Sequence, residues 1–463
     1  MQTADKEIPY REKNDPYDRD WTQGSIIRNL ISLAWPIIIN NSLTMLGPTI
    51  DMIWVGKLGS APIAGVGIAG IAVMAVSSMR MGLSTGTRAM VARFIGASDF
   101  RGANHVAQQA FVISGAFSIF LGLIGILLSE TIMTLMGVEP EVVIEGASYM
   151  RVMFVGSVSM SFRFMTDGIM QASGDSVTPM KIAIFFRIFH IALCPFLVFG
   201  WWIFPRLGVG GAALTNVISQ TVGLGISFWV LFSGRSRLRP TLKQFRLNGD
   251  IIWRIVKIGV PSSVMGTSRS FGNLLLVRLL VPFGTLAVAG HTLVQRIEML
   301  MFMPCFGVGM ASSVLTGQNL GANQPERAEK GGWQALGLVE IFITICSLLI
   351  LFFAENIVRI FNTEPGVIEM TSIFLRIATV SFLVIGFEAA LGLSISGAGD
   401  TLPPMLITLL SFWALQIPLA WFLPQVGNLG VLGVRWAIGI GLVAGAIAYF
   451  VYFKIGSWKH KTV

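Results

Sequence analysis

The sequence predicts an all-α membrane protein with twelve transmembrane helices, arranged as two six-helix lobes related by a parallel internal repeat. Three observations carry that prediction: too little charge for a soluble surface, twelve apolar runs of bilayer length, and a second half that repeats the first in one register. Of the 463 residues, 54% are hydrophobic and 12% charged, and mean hydropathy is +0.72. Soluble chains carry roughly 25% charge, because polar side chains must cover their surface. No region between the apolar runs is long enough to form a soluble catalytic domain.

An apolar helix needs about 20 residues to cross the hydrocarbon layer. Runs of that order, separated by charges, Gly and Pro, begin near Ile26, Ile63, Asn104, Val142, Met180, Gly210, Ile251, Thr285, Ala328, Val367, Met405 and Gly430. Their even number puts both termini on one side. Spans two and eight hold enough Gly to be expected to bend or to begin irregularly. Residues 1–24 are charged throughout, lack the apolar core of a signal peptide, and are expected to form a short mobile cytoplasmic tail. Residues 25–232 are then the N-lobe (spans one to six), 233–250 a basic cytoplasmic linker, 251–456 the C-lobe (spans seven to twelve), and 457–463 a cytoplasmic tail.

The net charge of +9 comes from 33 Lys and Arg against 24 Asp and Glu. In a soluble protein this would raise nucleic acid as a partner, but its placement follows the positive-inside bias of membrane proteins. With cytoplasmic termini, the cytoplasmic loops hold Arg88, Arg93, Arg101, Lys181, Arg235, Arg237, Arg239, Lys243, Arg246, Arg254, Arg327 and Lys330, whereas the opposite loops hold Lys57, Arg206, Arg278 and Arg359. The patch from Arg235 to Arg246 is read as a topology determinant rather than an anionic-lipid site. The expected location is the cell (inner or plasma) membrane. Cys194, Cys305 and Cys346 lie singly in apolar runs and are read as packing residues, without the spacing of a zinc site or a disulfide framework.

Pro36 recurs as Pro261, an offset of 225 residues, and the same offset relates Gly59 to Gly284, Gly96-Ala97 to Gly321-Ala322, Glu130 to Glu355, Glu139-Pro140 to Glu364-Pro365, Arg151 to Arg376, and Gly174-Asp175 to Gly399-Asp400. Near the end of each half, Gly208 and Gly211 return as Gly430 and Gly433, at an offset of 222. Charged and Pro matches in one register are not a by-product of apolar composition. Six spans per half is even, so both halves enter the membrane in the same sense, the parallel-repeat layout of secondary transporters, with the substrate site between the halves.

The repeated segments carry a resemblance. DMIWVGKLGSAPIAGVGIAG, ARFIGASDFRGA, SGDSVTPM, GAGDTLPPM and above all GHTLVQRIEMLMFMPCFGVGMASSVLTGQNLGANQPERA resemble the multidrug and toxic compound extrusion (MATE) family, from about Ile26 to Phe453. The resemblance implies a secondary active antiporter that exports organic, amphipathic or cationic compounds in exchange for Na+ or H+ by alternating access. It implies a small-molecule substrate, a coupling cation, no further cofactor and a monomer in the bilayer.

Ionisable groups inside spans are costly and need a partner, a water-filled cavity or a function. Those present in one half only are the candidates for the transport cycle. Asp51 maps to Leu276, Arg163 to Glu388, Asp167 to Gly392, His190 to Leu415 and Arg269 to Thr44. Asp51 occupies the place of the family's first-helix acidic residue and is the candidate proton or Na+ carboxylate; otherwise it hydrates near the outer end or pairs with Lys57. Glu388 lies near the tenth-helix carboxylate of NorM-like members and either handles cation or substrate, or pairs with Arg163 or Arg269. Arg296 and Glu298, two apart on a helix, point in different directions and match the family's eighth-span segment. Arg163 and Asp167, four apart, share a helix face and form an expected local ion pair.

His190 and Cys194 stand where DinF-like members have Asn and Asp, which puts a cation site of that kind in doubt and offers His190 as a titrating group instead. Arg269 stands where NorM-like members have an acidic residue, so a cationic cargo is disfavoured. Two alternatives follow: export of a specific non-drug metabolite, or flipping of a lipid-linked precursor if arginines such as Arg163, Arg187 and Arg269 line a lateral cleft. The sequence has no GxxxxGK[ST], no HExxH and no cysteine cluster. Nothing in it points to an enzyme or to a bound metal beyond Na+ at Asp51.

Overall fold

The structure, a computed structural model, describes residues 20–233, 236–238, 245–427 and 429–462. The first 19 residues of the tail, and Arg235, Arg239 and Lys243 of the basic linker, lie outside them. Span one is Ile26–Val55, two Ser60–Gly96, three Phe100–Leu135, five Val177–Phe199, six Gly208–Phe232, seven Gly249–Leu280, eight Thr285–Gly321, nine Pro325–Arg359 and twelve Val431–Ile455. Span four runs as Pro140–Val155 and Ser157–Ala172, parted at Gly156. Span ten passes from Pro365–Gly386 through a π-helical turn, Phe387–Gly392, into Leu393–Gly397. Span eleven likewise holds a π segment, Leu410–Gln416, between Leu402–Leu409 and Ile417–Phe422.

Local chemistry accounts for the starts. The Ser25, Asp99 and Asn248 side chains accept from backbone N–H groups of the first turns of spans one, three and seven, satisfying donors that have no intrahelical partner. Spans four, nine and ten begin on Pro140, Pro325 and Pro365, where the missing N–H costs nothing. Among the described residues, ten helices are long and apolar enough to cross a membrane by length and composition. The other two are span four, whose halves of 16 residues each are too short singly, and span seven, the more polar helix that carries Ser262, Ser263, Thr267, Ser268, Arg269 and Ser270.

The expectation for spans two and eight is corrected in part. Both begin on glycines in unusual conformations, Gly59 (φ 134°) and Gly284 (φ 92°), but each continues for 37 residues without a break. Interior glycines such as Gly82, Gly86, Gly307 and Gly309 make room for a neighbouring helix. The irregular turns fall in spans four, nine (at Phe353, φ −116°), ten and eleven, and a π turn leaves no residue-type signature of its own.

The repeat is visible in the backbone. Positive φ recurs at Gly59 and Gly284, at Ser98 (59°) and Asn323 (57°), at Gly174 (96°) and Gly399 (88°), and at Gly208 (55°) and Gly430 (50°). The turns after spans two and eight close with equivalent bonds, Asp99 N–H to the Phe94 carbonyl and Gln324 N–H to the Asn319 carbonyl. The lobes meet through a reciprocal contact at the ends of spans two and eight: a Cβ on Gly96 would lie 1.9 Å from the Gln318 carbonyl oxygen, and one on Gly321 would lie 2.0 Å from that of Arg93. Gly82 packs on Ser263, and its mate Gly307 on Ile38. All these contacts lie on the half of the bundle that carries both termini, so the lobes are closed there. The terminal segments join in: Trp21 packs on Gly174, Arg327 donates to the Gly24 carbonyl (2.8 Å), and Arg93 donates to the Lys461 carbonyl. The described ends of both tails are therefore docked rather than free.

Candidate functional site

Inside the N-lobe, Asp51 of span one is fully buried. Its Oδ1 lies 2.9 Å from His190 Nε2, and its Oδ2 accepts from the Tyr149 hydroxyl (3.0 Å) and the Asn216 amide (3.4 Å). On the other side of the ring, Arg187 lies one turn before His190 on span five and places Nη1 2.6 Å from His190 Nδ1. A guanidinium only donates, so Nδ1 must accept, and the ring proton sits on Nε2, where it is donated to Asp51. Arg187 also donates to the Thr44 carbonyl (3.1 Å). Its guanidinium fits because residue 47 is Gly: a Cβ there would stand 2.8 Å from Nη1. The result is a buried chain, guanidinium to imidazole to carboxylate, in which every partner of Asp51 is a donor. The alternative that Asp51 pairs with Lys57 is overturned, since Lys57 sits over the Trp54 ring at 4.5 Å.

Asp51, His190 and Cys194 bring an oxygen, a nitrogen and a sulfur within 4.8 Å of one another, a donor set a soft metal would accept. The hydrogen bonds oppose it. A metal on Nε2 would move the ring proton to Nδ1, against Arg187, whereas metal-bound histidines turn that proton to an acceptor. A Na+ ion wants converging oxygen acceptors, and the neighbours of Asp51 present N–H and O–H groups.

Arg163 and Asp167 form the expected pair (2.6 Å). Arg163 also donates to Gln220 and, at 3.4 Å, to the Thr44 hydroxyl, and Asn40 donates to Asp167 at 3.4 Å. In the C-lobe Arg269 pairs with Glu388, so of the two partners weighed for Glu388 the structure selects Arg269. Arg269 answers to Thr44 and Glu388 to Arg163 in the repeat, so one interhelix contact is kept in both lobes with its cation on the other helix. Glu298 is bound by Arg435 (3.2 Å), which also reaches His291 (3.0 Å). Arg296 is exposed on the opposite side of its helix and joins none of these clusters.

Tyr149, Asn216 and Arg187 complete the Asp51 site. Their mates are Phe374, Ile438 and Phe412, so the asymmetry that ranks the carboxylates, applied to every polar residue, marks them too.

The seam between the lobes holds two cavities related by the repeat. One, of about 620 Å3, is lined by Met79, Leu83, Phe117, Val260 and Ser263, together with Thr267, Ser268, Phe271 and Trp413. The other, of about 250 Å3, is lined at the equivalent positions by Pro304, Val308, Phe342, Trp35 and Ile38. Trp35 in place of Val260 helps to fill the smaller one.

The repeat, the lobes and the seam agree with comparison to known proteins. The family model MatE matches twice, over residues 36–196 and 261–422, the register found within the chain itself. The chain belongs to the MatE family. Members of this family are membrane transporters of small molecules and not enzymes, and the MatE chain here is a multi-pass membrane protein. It is 27% identical over 449 residues to the "Probable multidrug resistance protein NorM" of Thermotoga maritima, covering 95% of this chain and 94% of the relative. It is 23% identical to the "FAD transporter" of Shewanella oneidensis, covering 92% and 94%. A solved MOP superfamily transporter from Pyrococcus furiosus, described as having a binding pocket of reverse polarity that suggests a different function, superposes with a TM-score of 0.88 at 26% identity, over 96% of this chain and 98% of that one.

Proposed function

We propose that this MatE protein is a proton-coupled antiporter that expels an organic solute by alternating access, working as a monomer. Residues 25–232 and 251–456 move as two lobes joined by the 233–250 linker, and the tails lie at the cytoplasmic face. With that orientation, the closed half of the bundle is cytoplasmic and the seam opens outward.

The observation that supports proton coupling is the donor balance at Asp51. Tyr149, His190 and Asn216 all donate to it, and Arg187 donates to the far side of the imidazole. A proton added to either Asp51 oxygen, or to His190 Nδ1, meets a donor instead of an acceptor. One hydrogen bond must then break or reverse its direction, as the Tyr149 hydroxyl can, and spans one, four, five and six, which supply these groups, shift with it. Proton arrival and departure thereby bias two arrangements of the N-lobe, and a cargo that favours the other arrangement is driven against the proton. In this reading Asp51 carries the proton, His190 and Arg187 position it, and Arg163 with Asp167, Arg269 with Glu388, and Glu298 with Arg435 hold the lobe interiors or line the cleft.

A second reading, export of a non-drug metabolite, is favoured by the balance of buried charge. The N-lobe buries Arg80, Arg163 and Arg187, and Arg88, which lies inside span two rather than in the loop expected of it, against Asp51 and Asp167, a poor lining for an organic cation. The relatives named for multidrug resistance and for FAD represent the two cargo types.

The test is proton movement in proteoliposomes with an internal pH dye, using ethidium and FAD as cargoes. A cargo-dependent proton flux in the native protein, absent in Asp51→Asn, is expected. Cargo movement that follows a sodium gradient and ignores pH would replace the proton by Na+, and facilitated flux indifferent to both gradients would end the antiport reading.

A further inference from the structure

The N-lobe buries two carboxylates, Asp51 and Asp167, and their hydrogen bonds differ in kind. Both oxygens of Asp51 accept from donors. Asp167 takes Arg163 and Asn40 on the same oxygen, Oδ2, and its Oδ1 is buried without a donor. Asn40 reaches Oδ2 only at 3.4 Å, and its own amide oxygen is also buried without a donor. Acceptors left empty in a protein interior are costly, and one proton on the carboxyl group answers both. It adds an O–H at an oxygen where no hydrogen bond has to break, and the Asn40 amide, turned over, presents its oxygen to the carboxyl group. Asp167 is also the less sealed of the two, with 8% of its side chain exposed against 0% for Asp51. By the repeat, the mates of Asp167 and Asn40 are Gly392 and Met265, so the scaffold closes without this pair.

The charges around Asp167 link it to Asp51. On its own helix Asp167 meets Arg163 (2.6 Å). Span two buries Arg80 and Arg88, span five Arg187 and His190, and span one Asp51, whereas the polar groups buried on spans three and six are neutral, Gln220 on Arg163 among them. Arg163 donates to the Thr44 hydroxyl (3.4 Å) and Arg187 to the Thr44 carbonyl (3.1 Å), and both guanidiniums lie over the Phe186 ring, at 4.6 and 5.2 Å. Arg187 in turn holds His190 against Asp51. The two carboxylates are therefore the counter-ions of two neighbouring guanidiniums. Groups coupled in this way titrate as a pair: a proton on one removes negative charge that the cations need, and the next proton becomes harder to add.

We propose that Asp167 is the first proton-binding group of the N-lobe, and that its proton excludes a second one at Asp51. With Asp167 neutral, Asp51 is the remaining buried counter-charge of the lobe and stays ionised. When Asp167 gives its proton up, Arg163 regains its partner and Asp51 is free to take one. The lobe thus alternates one proton between two carboxyl groups on different helices, spans four and one. This deepens the proton-coupled reading and rests on it for the step of transport, whereas the titration of the pair does not depend on it.

The test follows the infrared C=O stretch of protonated carboxyl groups as pH falls, on the full chain in an ester-free detergent. The first component to appear in the native protein is expected to be absent from Asp167→Asn and present in Asp51→Asn. In Asp51→Asn its midpoint moves to lower pH by about half a unit or more, because a nearby negative charge has been removed. In Arg163→Gln, which keeps Asp167 and so serves if Asp167→Asn does not fold, the midpoint moves to higher pH by about one unit or more, because the paired cation has been removed. A first component that survives Asp167→Asn, or a midpoint that does not rise in Arg163→Gln, would overturn the assignment of the proton to Asp167. A midpoint unmoved by Asp51→Asn would overturn the exclusion between the two sites. Exchange of Na+ for choline is expected to leave the titration unchanged, and a midpoint that falls as Na+ is added would give the empty oxygens to the metal ion instead. No cargo or gradient is present, so a failure of cargo-driven proton flux and a failure of the Asp167 assignment are read apart.

Discussion

The two lobes share their connecting turns down to individual left-handed residues, and they place buried charge at different positions within them. The N-lobe buries four guanidiniums with two carboxylates, threaded by Tyr149, His190 and Asn216. At the places of Asp51, Tyr149, His190, Asn216 and Arg187 the C-lobe has Leu276, Phe374, Leu415, Ile438 and Phe412, of which Leu276 and Phe412 pack into an apolar cluster. Conversely, the Arg435, Glu298 and His291 cluster of the C-lobe answers to Ala213, Val73 and Val66. The difference teaches that the scaffold does not need charge at either place. A helix pair that closes on Leu and Phe in one lobe closes on Asp and His in the other, so the ionic version is retained for what it does.

The largest test of that contrast is Asp51→Leu, which writes the C-lobe residue into the N-lobe. Three buried donors lose their acceptor, each at about 1–3 kcal/mol. The protein is expected to insert, to melt earlier, and to lose cargo-coupled proton flux by about a hundredfold or more. Coupled flux within a few-fold of native would show the lobes to be functionally interchangeable at this point.

Next in size are Gly96→Leu and Gly321→Leu, mates at the closed seam. Each drives a side chain into a carbonyl less than about 3 Å away, costing about 1–3 kcal/mol or more, and either should shift the lobes away from closure on the terminal side. Distances between spin labels on the two lobes would report the shift. Unequal effects of the two variants would break the reciprocity of the contact.

A smaller effect is expected of Arg187→Lys. Lysine keeps the charge but not the planar fork that serves both His190 and the Thr44 carbonyl, so coupled flux should fall about tenfold, and its pH dependence should flatten because the imidazole is no longer locked as an acceptor. An unaltered pH profile would remove the imidazole from the coupling chain. The smallest belongs to Glu388→Gln. The Arg269–Glu388 pair is partly open, with side chains 33% and 20% exposed, and such pairs contribute below about 1 kcal/mol. Melting should barely move, and a double-mutant cycle with Arg269→Gln should give a coupling of that size. A coupling of several kcal/mol would instead make this pair the C-lobe's structural counterpart of the Asp51 chain.

Much of this was legible in advance. Every span begins within four residues of its expected start, because the apolar run and its polar boundary are properties of contiguous residues. Asp51, Arg163, Asp167, His190, Arg269, Glu298 and Glu388 stand out because charge inside a span is rare. The partners were harder. Tyr149 and Asn216 are unremarkable polar residues on spans four and six, and only the fold sets them against span one. Arg296 matches the family segment as well as Glu298 does, yet one turns outward and the other meets Arg435.

The amino-acid sequence by itself determined that this chain lives in a membrane, that it crosses twelve times, and that its second half repeats its first, since composition, run length and register are read along the chain. Tertiary structure alone decided which charges meet, which half of the seam is closed, and how much of the seam on each side is left as cavity. Those outcomes depend on side chains from helices far apart in the chain, whose facing directions are set by packing between spans and leave no trace in the spacing within them.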